Sequence, residues 1–253
     1  MIREKLIEKE IGAGKNFRWR SHEISRIEGL SDGVFAFAVT LLVVSLEVPK
    51  TFTELAETMR GFGAFAISFT LLFLVWYNQF KFFRRYGLQD TLTVCLNGLL
   101  LFVVLFYVYP LKFLFSYLVN VATGGHGEIR LSNGNVEAMV EGNQMATLML
   151  VFGLGYVAVF GVFVLLHWHA YRKRSALDLN ELELFDTRHS IQENSLHCCI
   201  ALLSICLVVF GGRYSALGGP VYMIVGIVMS IHGSIMGKRR KRLEQIVSAT
   251  DAH

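Results

Sequence analysis

The sequence predicts an all-α integral membrane protein with six transmembrane helices and both termini in the cytoplasm. Two observations carry that prediction. Apolar residues fill 53% of the 253 positions and charged residues only 17%, with a mean hydropathy of +0.48, a balance outside that of ordinary soluble domains. The basic residues are clustered between apolar segments, and 19 of the 24 Lys and Arg fall on one side of the membrane when six spans are drawn, as the positive-inside rule requires. Dropping any one span scatters the clusters over both sides. The net charge of +4 is therefore a topology signal, and no nucleic-acid partner is expected.

Residues 1–22 read as a polar N-terminal cytoplasmic tail with no chemistry of its own, residues 23–237 as the six-span domain, and residues 238–253 as a basic cytoplasmic tail. No cleavable signal peptide precedes the first apolar segment. The first span runs from about Ser21 to Leu46 and stops at Pro49, which cannot donate to the helical ladder. Five more follow, near Gly61–Phe83, Leu88–Leu118, Met145–Tyr171, Ser190–Gly211 and Gly218–Met236, each long enough to cross the hydrocarbon core. Pro110 marks a kink in the third. Between spans, the outer loop from Ser116 to Gln144 is rich in Gly and Asn and predicts irregular backbone. The inner loop from Arg172 to His189 mixes RKR with Asp178, Glu181, Glu183 and Asp186 and predicts a solvated, helix-prone linker. Cys95, Cys198, Cys199 and Cys206 lack the spacing of a zinc site or a disulfide framework and read as free thiols.

The chemistry concentrates in Arg26 to Pro49, RIEGLSDGVFAFAVTLLVVSLEVP, where Arg26, Glu28, Ser31 and Asp32 lead directly into an apolar run. Ionisable groups at a membrane boundary are costly and point to function. At about 100° per residue, Leu30, Gly33, Phe37, Thr40, Leu41, Val44 and Val48 share one stripe. Asp32 lies about 140° from Phe37 on that wheel, so it is expected to look into the subunit's own bundle. Ser31, Ala38 and Ser45 form a third, small-residue face suited to close helix approach. His167 and His169 point apart on a helix and read as anchors near the RKR cluster, not as metal ligands. His197 beside Cys198 and Cys199 does not form a nucleophile site, because adjacent helical residues face different directions.

Arg26-Ile-Glu-Gly-Leu30-Ser31-Asp32 resembles the R-x-x-x-F-S-D signature of the transmembrane protein 175 potassium channels, in a single-repeat bacterial form, with Leu30 in place of Phe. Trp76 matches the family's tryptophan in the second helix, Gln79 stands where the family has histidine, with Asn78 beside it, and Asn97 and Pro110 are similar to its Asn and Pro in the third. The resemblance implies a homotetramer in a prokaryotic cell membrane with the first helices around a central pore. It implies a constriction at Phe37, Leu41 and Val44, Thr40 as a polar ring, and potassium as the permeant monovalent cation, with no cofactor or resident metal. It also implies that Arg26, Ser31, Asp32, Trp76, Gln79 and Asn97 form a network that positions the pore helix. No TVGYG carbonyl filter occurs, so discrimination is expected from narrowness and incomplete dehydration. The alternative is a secondary transporter or proton-coupled carrier using Asp32 and Glu28, although the paired repeats of many carriers are not evident. A membrane-embedded enzyme finds no catalytic constellation at usable spacing.

Overall fold

The structure is a computed structural model that describes residues 17–21, 23–44, 51–52, 55–56, 59, 61–130, 135–142, 144–212 and 217–250, without the side chains of Val44, Arg130 and Thr250. Among them are six long helices: α1 Arg26–Val44, α2 Phe62–Tyr86, α3 Thr91–Ala122, α4 Gln144–Arg172, α5 Glu181–Phe210 and α6 Ile224–Thr250. Among the described residues, five helical stretches are long and apolar enough to cross a membrane: α2, α3, α4, α5, and α6 together with the 3-10 turn before it. The remainder of the expected first span, from Ser45 to Leu46, lies outside the described residues.

Local signals set the helix ends. Ser25 caps α1: Glu28 N–H donates to Ser25 Oγ (3.3 Å), while Ser25 N–H returns a bond to Glu28 Oε2 (2.8 Å), a reciprocal capping box. Gly87 stops α2 in the left-handed region at φ 60, where its N–H reaches Phe83 O at no Cβ cost. Asp90 starts α3, accepting from Thr93 Oγ1 at 2.7 Å, and meets His169 (2.8 Å) and Lys173 (3.4 Å) from the end of α4. Burial pushes the Asp90 carboxyl up, but the hydrogen bonds from Thr93 and His169 outweigh it and hold the group below the usual carboxylate range.

Three expectations change in part. The linker from Arg172 to His189, expected to be helix-prone, is helical from Glu181, where Asn180 and Glu183 form a second capping box, but Glu183 and Thr187 are buried and not solvated. The outer loop is not irregular throughout: α3 continues to Ala122, and strands β1 Glu128–Arg130 and β2 Val136–Ala138 pair antiparallel. The last helix does not stop at Met236 but carries the basic cluster on to Thr250, since Lys, Arg, Leu, Glu and Gln are good helix formers.

The helices α3, α4 and α5 pack in succession, α1 lies across α2 and α3, and α6 is peripheral, touching α5. One buried cluster joins Phe35, Ala38 and Leu42 of α1 to Leu72 and Phe82 of α2, Leu100 and Val104 of α3, and Phe163 and Leu166 of α4. A second, at the other end, gathers Tyr107, Leu111, Leu114, Met149, Phe152 and Val208. In a lipid environment such packing, rather than escape from water, holds helices together.

Candidate pore helix and its supporting network

The helix α1 has two contrasting faces. Glu28, Ser31, Phe35, Ala38 and Leu42, spaced three and four apart, are buried against the subunit. Opposite them, Leu30 is 63% exposed, Phe37 55% and Val43 46%, with Gly33 and Thr40 exposed as well. A Cβ added at Gly29 or Gly33 would meet nothing within 4 Å. The Thr40 hydroxyl donates to Ala36 O (2.9 Å) and keeps its lone pairs for the exposed side. Leu41 sits at the border, half-buried against the core. Val44 and Val48 have side chains outside the described residues.

Behind the helix lies a chain of buried amides. Gln79 Nε2 donates to Asn97 Oδ1 (2.6 Å), Asn97 Nδ2 donates to Ser31 Oγ (2.9 Å), and Ser31 Oγ donates to Ile27 O (2.7 Å). Gln79 and Asn97 are 2% and 1% exposed, so every link must be satisfied internally. Replacing Asn97 with Leu should therefore destabilise the protein by about 1–3 kcal/mol, because Gln79 and Ser31 both lose a buried partner. The check is the melting temperature beside that of Leu203→Ala, whose parent residue is 53% exposed; equal losses would contradict the network.

Asp32 departs from expectation. It does not enter the bundle: it is exposed and accepts from Trp76 Nε1 at 2.8 Å, in a surface groove with Phe69 and Phe73. Trp76 belongs to a ladder of ring contacts along α2 from Phe62 to Phe80. The structure thus brings together Asp32 with Trp76, and Ser31 with Asn97 and Gln79, as two separate pairings. Arg26 is exposed and joins neither.

Three supports escaped the sequence reading. Lys112 lies within α3 and donates through Nζ to Leu42 O (2.6 Å) near the far end of α1. Glu28 is committed to the α1 cap, with Arg84 Nε 3.8 Å away; the Ser-x-x-Glu spacing before an apolar run was the available signal. Most distant in sequence, Arg18 and Arg20 both clasp Glu183, at 3.1 and 2.7 Å, and Arg20 and Ser21 N–H donate to Arg84 O. The segment feeding α1 is thereby tied to α2 and α5. His167 bonds Phe163 O and His169 pairs with Asp90, so both are satisfied in helix packing.

Fold and site define a multi-pass α-helical membrane protein whose first helix is braced on one face and bare on the other. The profile of the family described as endosomal/lysosomal potassium channel TMEM175 matches residues 26–107, and a protein named potassium channel from Marivirga tractuosa is 41% identical over 245 residues, 95% of this chain and 99% of its own. The chain belongs to the TMEM175 potassium channel family, a family of passive channels and not of enzymes. A protein named potassium channel Cha6605_3372, from Chamaesiphon minutus, is 35% identical over 106 residues, 39% of this chain and 52% of its own. Among solved structures, a threonine-to-alanine variant of the potassium channel MtTMEM175, in complex with a nanobody-MBP fusion protein, matches with a TM-score of 0.77 and 42% identity over 90% of this chain and 99% of that one. A lysosomal potassium-selective channel TMEM175 homolog from Chamaesiphon minutus shares the fold, with a TM-score of 0.52 and 23% identity over 87% of this chain and 99% of that one.

Proposed function

We propose that this protein is a potassium-preferring passive cation channel, in which four copies place α1 around a central pore and both termini face the cytoplasm. The observation that carries the reading is the bare face of α1: Leu30, Gly33, Phe37, Thr40 and Val43 are exposed among the described residues, although the opposite face is packed and hydrogen-bonded. In a symmetric assembly such a face meets its own copies or the permeation path. Phe37, Leu41 and Val44 then form the constriction and Thr40 a polar ring, and a narrow apolar ring discriminates by the cost of dehydrating the ion. The carrier reading loses ground because Glu28 is held in the cap of α1 and Asp32 by Trp76.

Purified protein in proteoliposomes should carry a potassium flux larger than its sodium flux and without saturation. No flux above protein-free vesicles would overturn the channel reading, and saturable coupled uptake would favour the carrier. Asp32 serves assembly in this scheme: Asp32→Leu should cut the yield of assembled oligomer several-fold, Asp32→Asn less, and neither should change the potassium to sodium ratio. An intact oligomer with inverted selectivity would contradict that role.

A further inference from the structure

We propose that the polar cleft enclosed by α2, α4 and α5 binds a phosphate-class oxyanion, with Lys81 and Arg85 as its cationic anchors. Lys81 and Arg85 stand one turn apart on α2 and open on a cleft of about 50 Å³, where a single water needs roughly 10–15 Å³. Both are only partly exposed. Each lies over an aromatic ring, Lys81 on Tyr77 (4.8 Å) and Arg85 on Phe17 (4.9 Å), and among the described residues neither side chain has a carboxylate within 4.0 Å. The other shielded arginines of this end differ: Arg20 meets Glu183, Arg84 meets Glu28, and Arg240 meets Asp186. Two adjacent, partly withdrawn cations face a single carboxylate across this cleft, Glu193, and holding the excess positive charge away from water is expensive; a bound anion lowers that cost.

The rest of the wall suits an oxyanion with several acceptor oxygens. Asn78, one turn before Lys81, contributes an amide with no partner among the described residues. His197, whose Nδ1 pairs with the Tyr156 hydroxyl (2.7 Å), also lines the cleft. The planar fork of Arg85 takes two oxygens at once while Lys81 supplies a point charge. Glu193 is the one acidic residue lining the cleft; it opposes the anion and sets the sign of a test. The cleft lies at the end of the bundle where Arg18, Arg20, Arg84 and Glu183 meet, so the phosphate of an anionic lipid headgroup and free phosphate both have the required chemistry.

The full-length protein in detergent would be titrated with inorganic phosphate by calorimetry, and separately reconstituted with phosphatidylglycerol and examined by native mass spectrometry for retained lipid. Saturable binding in either arm is expected, weakened at least tenfold by Lys81→Gln or Arg85→Gln, tightened by Glu193→Gln, and unchanged by Arg239→Gln on the exposed face of α6. Binding in the phosphate arm alone identifies a soluble anion as ligand, and binding in the lipid arm alone a headgroup. Absence of saturable binding in both arms would overturn the proposal, as would equal weakening by Arg239→Gln. Tightening by Glu193→Gln is an outcome that misfolding cannot imitate, and neither readout depends on ion flux.

Discussion

Leu41→Asn is expected to raise cation flux by about tenfold and to lower the preference for potassium over sodium. The physical ground is the proposed apolar ring: an isobutyl side chain offers an ion nothing in exchange for lost water, whereas an amide offers an oxygen. A reduction of the barrier by about 1.4 kcal/mol is enough for a tenfold change in rate. The same substitution at Leu203, exposed on α5, should leave flux unchanged. Proteoliposome flux under potassium and sodium gradients measures both quantities, and equal effects at the two sites would remove Leu41 from the permeation path.

The second large effect concerns stability. Glu183→Ala should lower the stability of the protein by about 3 kcal/mol, because it leaves the largely shielded Arg20, 17% exposed, without its ion partner. The Glu183 side chain is 0% exposed and joins Arg18 and Arg20 while also completing the cap of α5. Heat denaturation should fall by roughly 6 °C or more. Exposed Glu181, one residue into the same helix, is the control, and Glu181→Gln should not shift the midpoint. Equal midpoints for the two variants would show that the clasp between the N-terminal segment and α5 contributes nothing to the fold.

The membrane class, the number of long helices and the small-residue contact of Ser31 and Ala38 were legible in the chain because each follows from local composition or helical spacing. The separation of Phe37 from the buried face was legible for the same reason: a wheel fixes angles between residues of one helix. It does not fix how that helix is rotated against its neighbours. Asp32 was accordingly assigned inward and lies exposed beside Trp76, while the interior position went to the neutral amide of Asn97, which a bundle accommodates at far lower desolvation cost than a carboxylate. The linker before α5 was legible as helix-prone, but reading its charge density as solvation missed the burial of Glu183 and Thr187, although Asn-x-x-Glu announced a cap. The hairpin of β1 and β2 left no trace, since three-residue strands are too short for alternation to register.

By itself the sequence determined that the chain is a multi-span helical membrane protein and that Arg26 to Pro49 carries its distinguishing chemistry, because apolar run length, cap residues and charge clustering are properties of neighbours in the chain. Only the tertiary structure decided which side chains meet: Arg18 with Glu183, Lys112 with the carbonyl of Leu42, Gln79 with Asn97. Those partners lie 165, 70 and 18 positions apart, and each bond exists because helix packing removes water from polar atoms that must then satisfy one another. That requirement turns an amphipathic first helix into a braced one with a single bare face.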